Sequence, residues 1–316
     1  SVMGQIMEGD TTPAQLGAFL TSLRMKGETV GEVAGMASVM REKSLHVKVA
    51  GNLVDTCGTG GDGFGTFNIS TAAAFVASGA GVSIAKHGNR AMSGKTGSAD
   101  VLEALGAKID LSPDSVAKCI SKTGFGFMFA QGFHPSMRFA AVPRREIGIR
   151  TVFNILGPLT NPAGAKRQVI GVSDSAVGDL VARVLGALGS EKALIVHGND
   201  GLDEITLSTS STVWTLQSGA VKRSEIDPEQ FGIEKCDLDN ILVNGAKESA
   251  EIIRGVLAGA IGPARGVTIL NSAAAVVAAG LSDDFESALD ISVRSIDTGR
   301  ALASLDSFIK FSRELD

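Results

Sequence analysis

From Asn52 onward, short apolar runs alternate with stretches of helical periodicity, and this alternation constrains the fold more than any other feature. "NLVD", "VSIA", "FGFMFA", "RQVIGVS" and "KALIVHG" read as strands, with "STAAAFVASGA" and "SADVLEALG" as helices among them. Parallel strands need a crossover connection, usually a helix, so the pattern predicts a mainly parallel sheet with helices on its faces. "STVWTLQSGAVKR" reads as a hairpin appended near the sheet edge. In such sheets ligands sit beyond the C-terminal ends of the strands. Two glycine-rich segments and "HGNDGLDE" fall there. The first 45 residues have a different grammar. Thr12 is a candidate N-cap with Pro13 at the first helical position, and Leu16, Phe19, Leu20 and Leu23 follow at helical spacing before Gly27. Thr29 and Glu32 have capping-box spacing ahead of a second helix. Short links imply antiparallel neighbours, hence a small helical domain beside the large α/β domain.

Composition removes several function classes. No apolar run approaches the length needed to span a bilayer, and "SVMGQIMEGD" lacks the basic and apolar regions of a secretory signal. The absence of an initial Met suggests a trimmed start. Three widely spaced cysteines fit neither a disulfide framework nor a zinc site, and they point to a reducing cytoplasm. A net charge of −5 argues against a bulk nucleic-acid binder, and one Trp with no Tyr supplies little for base stacking. The 39 glycines exceed the usual share of ~7%, and the excess sits largely in loops after strands, where backbone must approach something closely.

Those loops admit three readings as phosphate sites. Gly58-Thr59-Gly60-Gly61-Asp62-Gly63 matches G-x-G-x-x-G after a strand. A dinucleotide site, however, needs a helix that starts within the motif and an acid at the end of the next strand. Here "FGTFN" intervenes, and the next strand delivers Lys86 and His87. "GNRAMSGKT" is a near miss to the P-loop, because the spacing puts Asn89 where the first Gly belongs. The third reading sets both loops over one ligand. Gly amides with Thr66, Asn68, Ser70 and Thr71 then face Lys86, Asn89, Arg90, Ser93 and Lys95, a set suited to a ligand with more than one phosphate group. Taken singly, each loop also reads as turns and caps, with Ser70 and Thr71 as plain N-caps.

"GTGGDGFGTFNIST", "KHGNRAMSGKTGSADVLEALG", "GIRTVFNILGPLTNP" and "GLDE" after "LIVHG" resemble the anthranilate phosphoribosyltransferase family of tryptophan biosynthesis, and the likeness runs from the first helices to the last. The resemblance implies a fold of the nucleoside phosphorylase/phosphoribosyltransferase type. Residues 1–48, completed by a helical segment near 134–152, would form the small domain; 49–133 and 153–316 would form the large one. It also implies a homodimer through the helical domain. The implied reaction moves the 5-phosphoribosyl group of phosphoribosyl pyrophosphate (PRPP) to the amine of anthranilate, releasing pyrophosphate.

By the same resemblance, Gly58, Gly61, Asp62, Thr66, Asn68, Ile69, Ser70 and Thr71 hold PRPP. Lys86, His87, Gly88, Asn89, Arg90, Ala91, Met92, Ser93, Gly94 and Ser98 complete that site. Gly94 stands where many relatives have a second Ser. Mg2+ is the implied cofactor, with Ser70, Asp203 and Glu204 as its anchors; by spacing alone the two acids read as a solvated turn. Arg144 is implied to bind the anthranilate carboxylate, with Gly58 and Asn89 beside it; Arg145 is the neighbour most easily confused with it, and Val142-Pro143 precede the pair. No residue is assigned as a catalytic acid or base. The aryl amine is already neutral near pH 7, and His87 reads equally well as a group that shapes the site by a hydrogen bond. The chain begins inside what the family pattern has as its second helix. Other readings on this scaffold are a phosphorylase, a transferase with another acceptor, and a nucleic-acid-binding relative without an acceptor site.

Overall fold

A computed structural model of the chain describes residues 1–91 and 96–315. Three helices open it: α1 (Val2–Glu8), α2 (Pro13–Lys26) and α3 (Val30–Glu42). Local chemistry sets their starts. The Thr12 hydroxyl accepts from the Gln15 amide while the Gln15 side chain accepts from the Thr12 amide, and Thr29 and Glu32 form the same reciprocal box. Each helix buries one stripe, Leu16, Leu20 and Leu23 in α2 and Val33, Met36, Ala37 and Met40 in α3.

The sheet begins with β1 (Leu53–Gly58), followed by α4 (Ile69–Gly79), β2 (Ser83–Gly88), α5 (Ser98–Leu105), α6 (Pro113–Thr123) and β3 (Phe125–Phe129). The chain then crosses back to the N-terminal helices through α7 (Ala130–Phe133) and α8 (Arg138–Ile147), which packs against α1 and α2, and returns through α9 (Phe153–Leu156). β4 (Arg167–Gly171), α10 (Gly178–Ala187), β5 (Lys192–Gly198), β6 (Ser211–Gln217) and β7 (Ala220–Ile226) complete the sheet. Four helices follow: α11 (Ala246–Leu257), α12 (Pro263–Ala279), α13 (Phe285–Asp297) and α14 (Arg300–Arg313).

The strand order is β3-β2-β1-β4-β5-β6-β7, parallel through the first five and antiparallel across β6 and β7. The last two form the expected edge hairpin. Its two turn residues, Ser218 (φ 51°) and Gly219 (φ 77°), both adopt positive φ, the primed geometry that matches strand twist. In β4, β5 and β6 successive side chains enter opposite cores. Val169, Leu194, Val196 and Val213 join the layer of α4 and α11–α14. Ile170, Ala193, Ile195, Trp214 and Leu216 join α9, α10 and the N-terminal helices in a second core. The helical segment is thus seated on the sheet through α3 against α10.

One local expectation changes. Asn68 is the N-cap of α4, so Ser70 and Thr71 lie inside its first turn and are not caps. Thr71 is buried and its hydroxyl donates to the Asn68 side chain, which ties the turn together from within.

Candidate active site

Strands β2 and β3 extend the sheet to one side of β1, and β4 and β5 extend it to the other. The order therefore reverses between β1 and β4, and the loops leaving their C-terminal ends part to open a crevice. The first is the glycine segment after Gly58. Gly60, Gly61, Gly63 and Gly65 all have φ between 64° and 83°, which L side chains rarely adopt. The Thr59 amide donates to Gly171 O (2.8 Å), and the Ser173 hydroxyl donates to Gly60 O (3.1 Å). The far end of the segment is tied to the C-terminal region. Phe67 and Val243 amides bond to Ile241 O and Gly65 O, and the Asn68 amide bonds to Ser249 Oγ at 2.9 Å. Thr66 lies in that short bridge, opposite Leu242. Residues 241–249 carry no sequence motif that signals this role.

The acidic turn after β5 lies directly on this seam. A Cβ added to Gly171 would fall 1.6 Å from Asp203 O, and one added to Gly58 would fall 2.6 Å from Asp203 Oδ2. The Gly60 amide donates to that same carboxylate oxygen at 2.8 Å. Burial and the adjacent Asp62 carboxylate, which also hydrogen-bonds to it, push Asp203 up to about 7. Burial and Asp203 hold Glu204 well above the usual carboxylate range, while Lys86 and the Ser70 amide pull it down. Lys86 is buried in β2, not displayed by the loop. Its Nζ lies on Thr56 O, Thr56 Oγ1 (3.3 Å) and Ser70 Oγ (3.2 Å).

This donor set fits magnesium. Its groups are all oxygens, three carboxylates repel one another there, and Lys86 is the cation that acts on Glu204. Among the described residues no three His, Cys, Asp or Glu side chains are placed to enclose an ion alone. Magnesium takes one or two carboxylates and leaves its other positions to water and substrate phosphate.

The second glycine segment leaves β2. Gly88 packs against Ser98, where a Cβ would fall 2.1 Å from Ser98 Oγ, and that hydroxyl donates to Asn89 O at 3.4 Å. The Asn89 side chain accepts from the Arg90 amide (2.8 Å). Arg90 turns its guanidinium to Asp100 and Glu103 (2.9 and 2.5 Å) and lies over the Phe129 ring. Asp100 also accepts from the amides of Ala91 and Gly97, closing the two ends of the segment together. Met92, Ser93 and Gly94, with Lys95, lie outside the described residues.

His87 faces a partner that the sequence does not single out. Its ring centroid is 5.0 Å from that of His134, which ends α7, and Nε2 of each is buried without a hydrogen-bond partner among the described residues. The one sequence cue to it is a His-Pro pair just beyond an apolar strand. Burial drives His87 down to about 3, with His134 adding to the effect, and burial drives His134 down to about 4. Below them Asp55 accepts from the His87 amide (3.0 Å) and from Asn161 Nδ2 (2.8 Å), which also donates to Ala85 O. This strut fixes the end of β2 against the "LTNP" segment.

Arg144 and Arg145 end α8 but differ in setting. Arg144 is partly buried, its guanidinium carbon 5.0 Å from the centroid of Phe153, and it has no acidic partner among the described residues; Arg145 is exposed. Pro143 is buried and Val142 exposed, so the turn points Arg144 inward toward α9.

Comparison with known proteins bears on this arrangement. Residues 1–44 match the glycosyl transferase family helical bundle domain, and residues 50–302 match the glycosyl transferase family a/b domain. The anthranilate phosphoribosyltransferase of Chloroflexus aurantiacus is 53% identical over 315 residues, covering 99% of this chain and 93% of that one. The crystal structure of the Thermus thermophilus enzyme superposes with a TM-score of 0.94 at 39% identity, covering 99% and 94% of the two chains. The Saccharomyces cerevisiae enzyme, solved in complex with PRPP and Mg, superposes with a TM-score of 0.90 at 30% identity, covering 99% and 91%. With both family domains present and the whole chain aligned at this identity, the protein belongs to the anthranilate phosphoribosyltransferase family.

Proposed function

We infer that this protein transfers the 5-phosphoribosyl group of PRPP to the amine of anthranilate, yielding N-(5-phosphoribosyl)anthranilate and pyrophosphate. The observation that carries the reading is the seam at the crevice, where the positive-φ glycine segment, the Asp203-Glu204 turn and the start of α4 meet. Backbone amides there suit a pyrophosphate group, and the N-terminus of α4 favours negative charge. Gly58, Gly61, Asp62 and Thr66, with Asn68, Ile69, Ser70 and Thr71, form one wall for PRPP. Lys86, His87, Gly88, Asn89, Arg90, Ala91 and Ser98 form the other. Asp203, Glu204 and Ser70 would hold magnesium, which when bound supplies charge that neutralises the departing pyrophosphate.

Charge develops on the ribose ring and on the leaving group, so the task of these residues is positioning and electrostatic stabilisation. A strong base is not required, because the aryl amine already carries a free electron pair. His87, neutral at physiological pH, serves as an uncharged wall beside the acceptor amine. Arg144 receives the acceptor carboxylate, with Asn89 and Gly58 at the junction of the two substrates. Its stacking on Phe153 and lack of an acidic partner among the described residues support that role. Mixing protein, magnesium, anthranilate and PRPP should abolish anthranilate fluorescence with time. No loss of fluorescence, or full activity in excess chelator, would refute the reading.

We further propose a homodimer through the helical segment, residues 1–48 with 134–152, and residence in a reducing cytoplasm. Of eight large hydrophobic side chains exposed among the described residues, six lie in that segment: Val2, Met25, Leu45, Phe139, Val142 and Ile149. Three free cysteines suit the compartment. A mass of one chain by light scattering at micromolar protein would refute the dimer.

A further inference from the structure

We propose that Arg150 is a positioning residue for PRPP, one that sets the glycine segment for the pyrophosphate without touching it. Arg150 lies in the link between α8 and α9, away from the sheet in sequence, yet its guanidinium reaches the crevice. It donates to Gly60 O (2.9 Å), Gly61 O (3.4 Å) and Ser173 Oγ (2.8 Å). Ser173 in turn donates to Gly60 O, so two side chains from two other segments grip one carbonyl. The packing is close: a Cβ on Gly61 would fall 3.1 Å from the Arg150 guanidinium.

Peptide geometry converts this grip into a function. Every described peptide bond is trans, so each C=O and the following N–H point to opposite sides of the chain. Holding Gly60 O and Gly61 O toward Arg150 turns the amides of Gly61 and Asp62 away from it. The Gly60 amide is occupied by Asp203, but the amides of Gly61, Asp62 and Gly63 have no hydrogen-bond partner among the described residues. Three successive free amides among glycines of positive φ make a concavity for anionic oxygens. The cation behind them also polarises both peptide units, which strengthens their amides as donors.

Without Arg150, Ser173 still holds Gly60 O, but nothing else among the described residues holds Gly61 O. Four glycines in the segment then leave the 61–63 amides free to turn. Arg150 is exposed and no apolar core rests on it, so its loss should act on the loop and not on folding.

The inference rests on the glycine segment being the pyrophosphate wall, and the test separates the two ideas. Arg150→Ala should raise KM for PRPP and the inhibition constant of inorganic pyrophosphate about tenfold, the loss of roughly one charge-assisted hydrogen bond. KM for anthranilate and the thermal midpoint should hold, and added millimolar guanidinium ion should restore part of the PRPP affinity. Unchanged PRPP and pyrophosphate constants would overturn the proposal. So would an equal rise in both KM values with a lowered midpoint and no guanidinium rescue, which is plain structural damage. Gly61→Ala, strained at φ 78°, is the control for the wall itself. If it weakens PRPP while Arg150→Ala does not, Arg150 is idle and the wall stands. If neither variant matters, the wall assignment fails as well.

Discussion

Replacing Arg144 with Ala asks whether the acceptor is read by one cation. In the structure this guanidinium is partly buried against the Phe153 ring, and burial lowers its hold on its proton because no carboxylate compensates. A carboxylate arriving with the substrate would meet a cation already stripped of part of its water, in a fork geometry that suits two oxygens. Hydrogen bonds to charged groups contribute about 1.5–3 kcal/mol. Their loss corresponds to a roughly tenfold to hundredfold rise in KM for anthranilate. KM for PRPP should stay within about twofold, since the anchors proposed for it lie on β1, β2 and the acidic turn. The stacking on Phe153 is worth about 1–2 kcal/mol at such a partly desolvated site, so the thermal midpoint should fall by no more than several degrees. Steady-state loss of anthranilate fluorescence, with each substrate varied in turn, reads both constants. Arg145→Ala is the control and should be mild, because that side chain is exposed. Equal damage to both KM values would mean that Arg144 supports the fold or domain closure. An acceptor-specific loss in Arg145→Ala alone would show that the wrong arginine has been assigned.

Two further outcomes follow from the acids and the histidines. Glu204→Gln keeps shape but removes a charge from the oxygen cluster, so turnover should fall at least tenfold, partly recovered at high magnesium, with the unfolding midpoint unchanged or raised; normal turnover and magnesium dependence would reduce "GLDE" to a turn. His87 and His134 are held neutral, at about 3 and about 4 against 6.5 for a free side chain. The unfolded chain therefore binds more protons than the folded one between those values. Their contribution is complete above pH 6.5 and is lost as pH falls toward 4 and then 3, at about 1.4 kcal/mol per pH unit for each histidine across that window. Urea unfolding of His134→Gln between pH 4.5 and 6 should show unfolding free energy rising with pH less steeply, by roughly 0.8 of a proton, and an unchanged slope would count against a buried neutral His134.

Local features of this protein are legible in the residue order itself. Capping chemistry at Thr12 and Thr29, the apolar spacing of α2 and α3, the strand–helix alternation and the Ser218-Gly219 hairpin all depend on residues a few positions apart. Hydrogen bonding over that range is written directly in residue order. The long motifs likewise point to the family, and the glycine segment and "GLDE" stand at strand ends in the sequence pattern. Which loops meet depends instead on strand order, and no local pattern dictates that β4 pairs with β1. That pairing, with β5 beside β4 and the α8–α9 link over the seam, brings Asp203, 143 residues away, onto the Gly60 amide, and Arg150, 90 residues away, onto its carbonyl. The assembled sheet also decides that His134 faces His87 and that Lys86 turns inward to Ser70. Even the start of α4 departs from the local reading for a nonlocal reason, because the Asn68 amide is taken by Ser249 on α11. Contacts of such separation are selected by the burial of two whole cores on either face of one sheet, a property of the assembled layers and not of any segment.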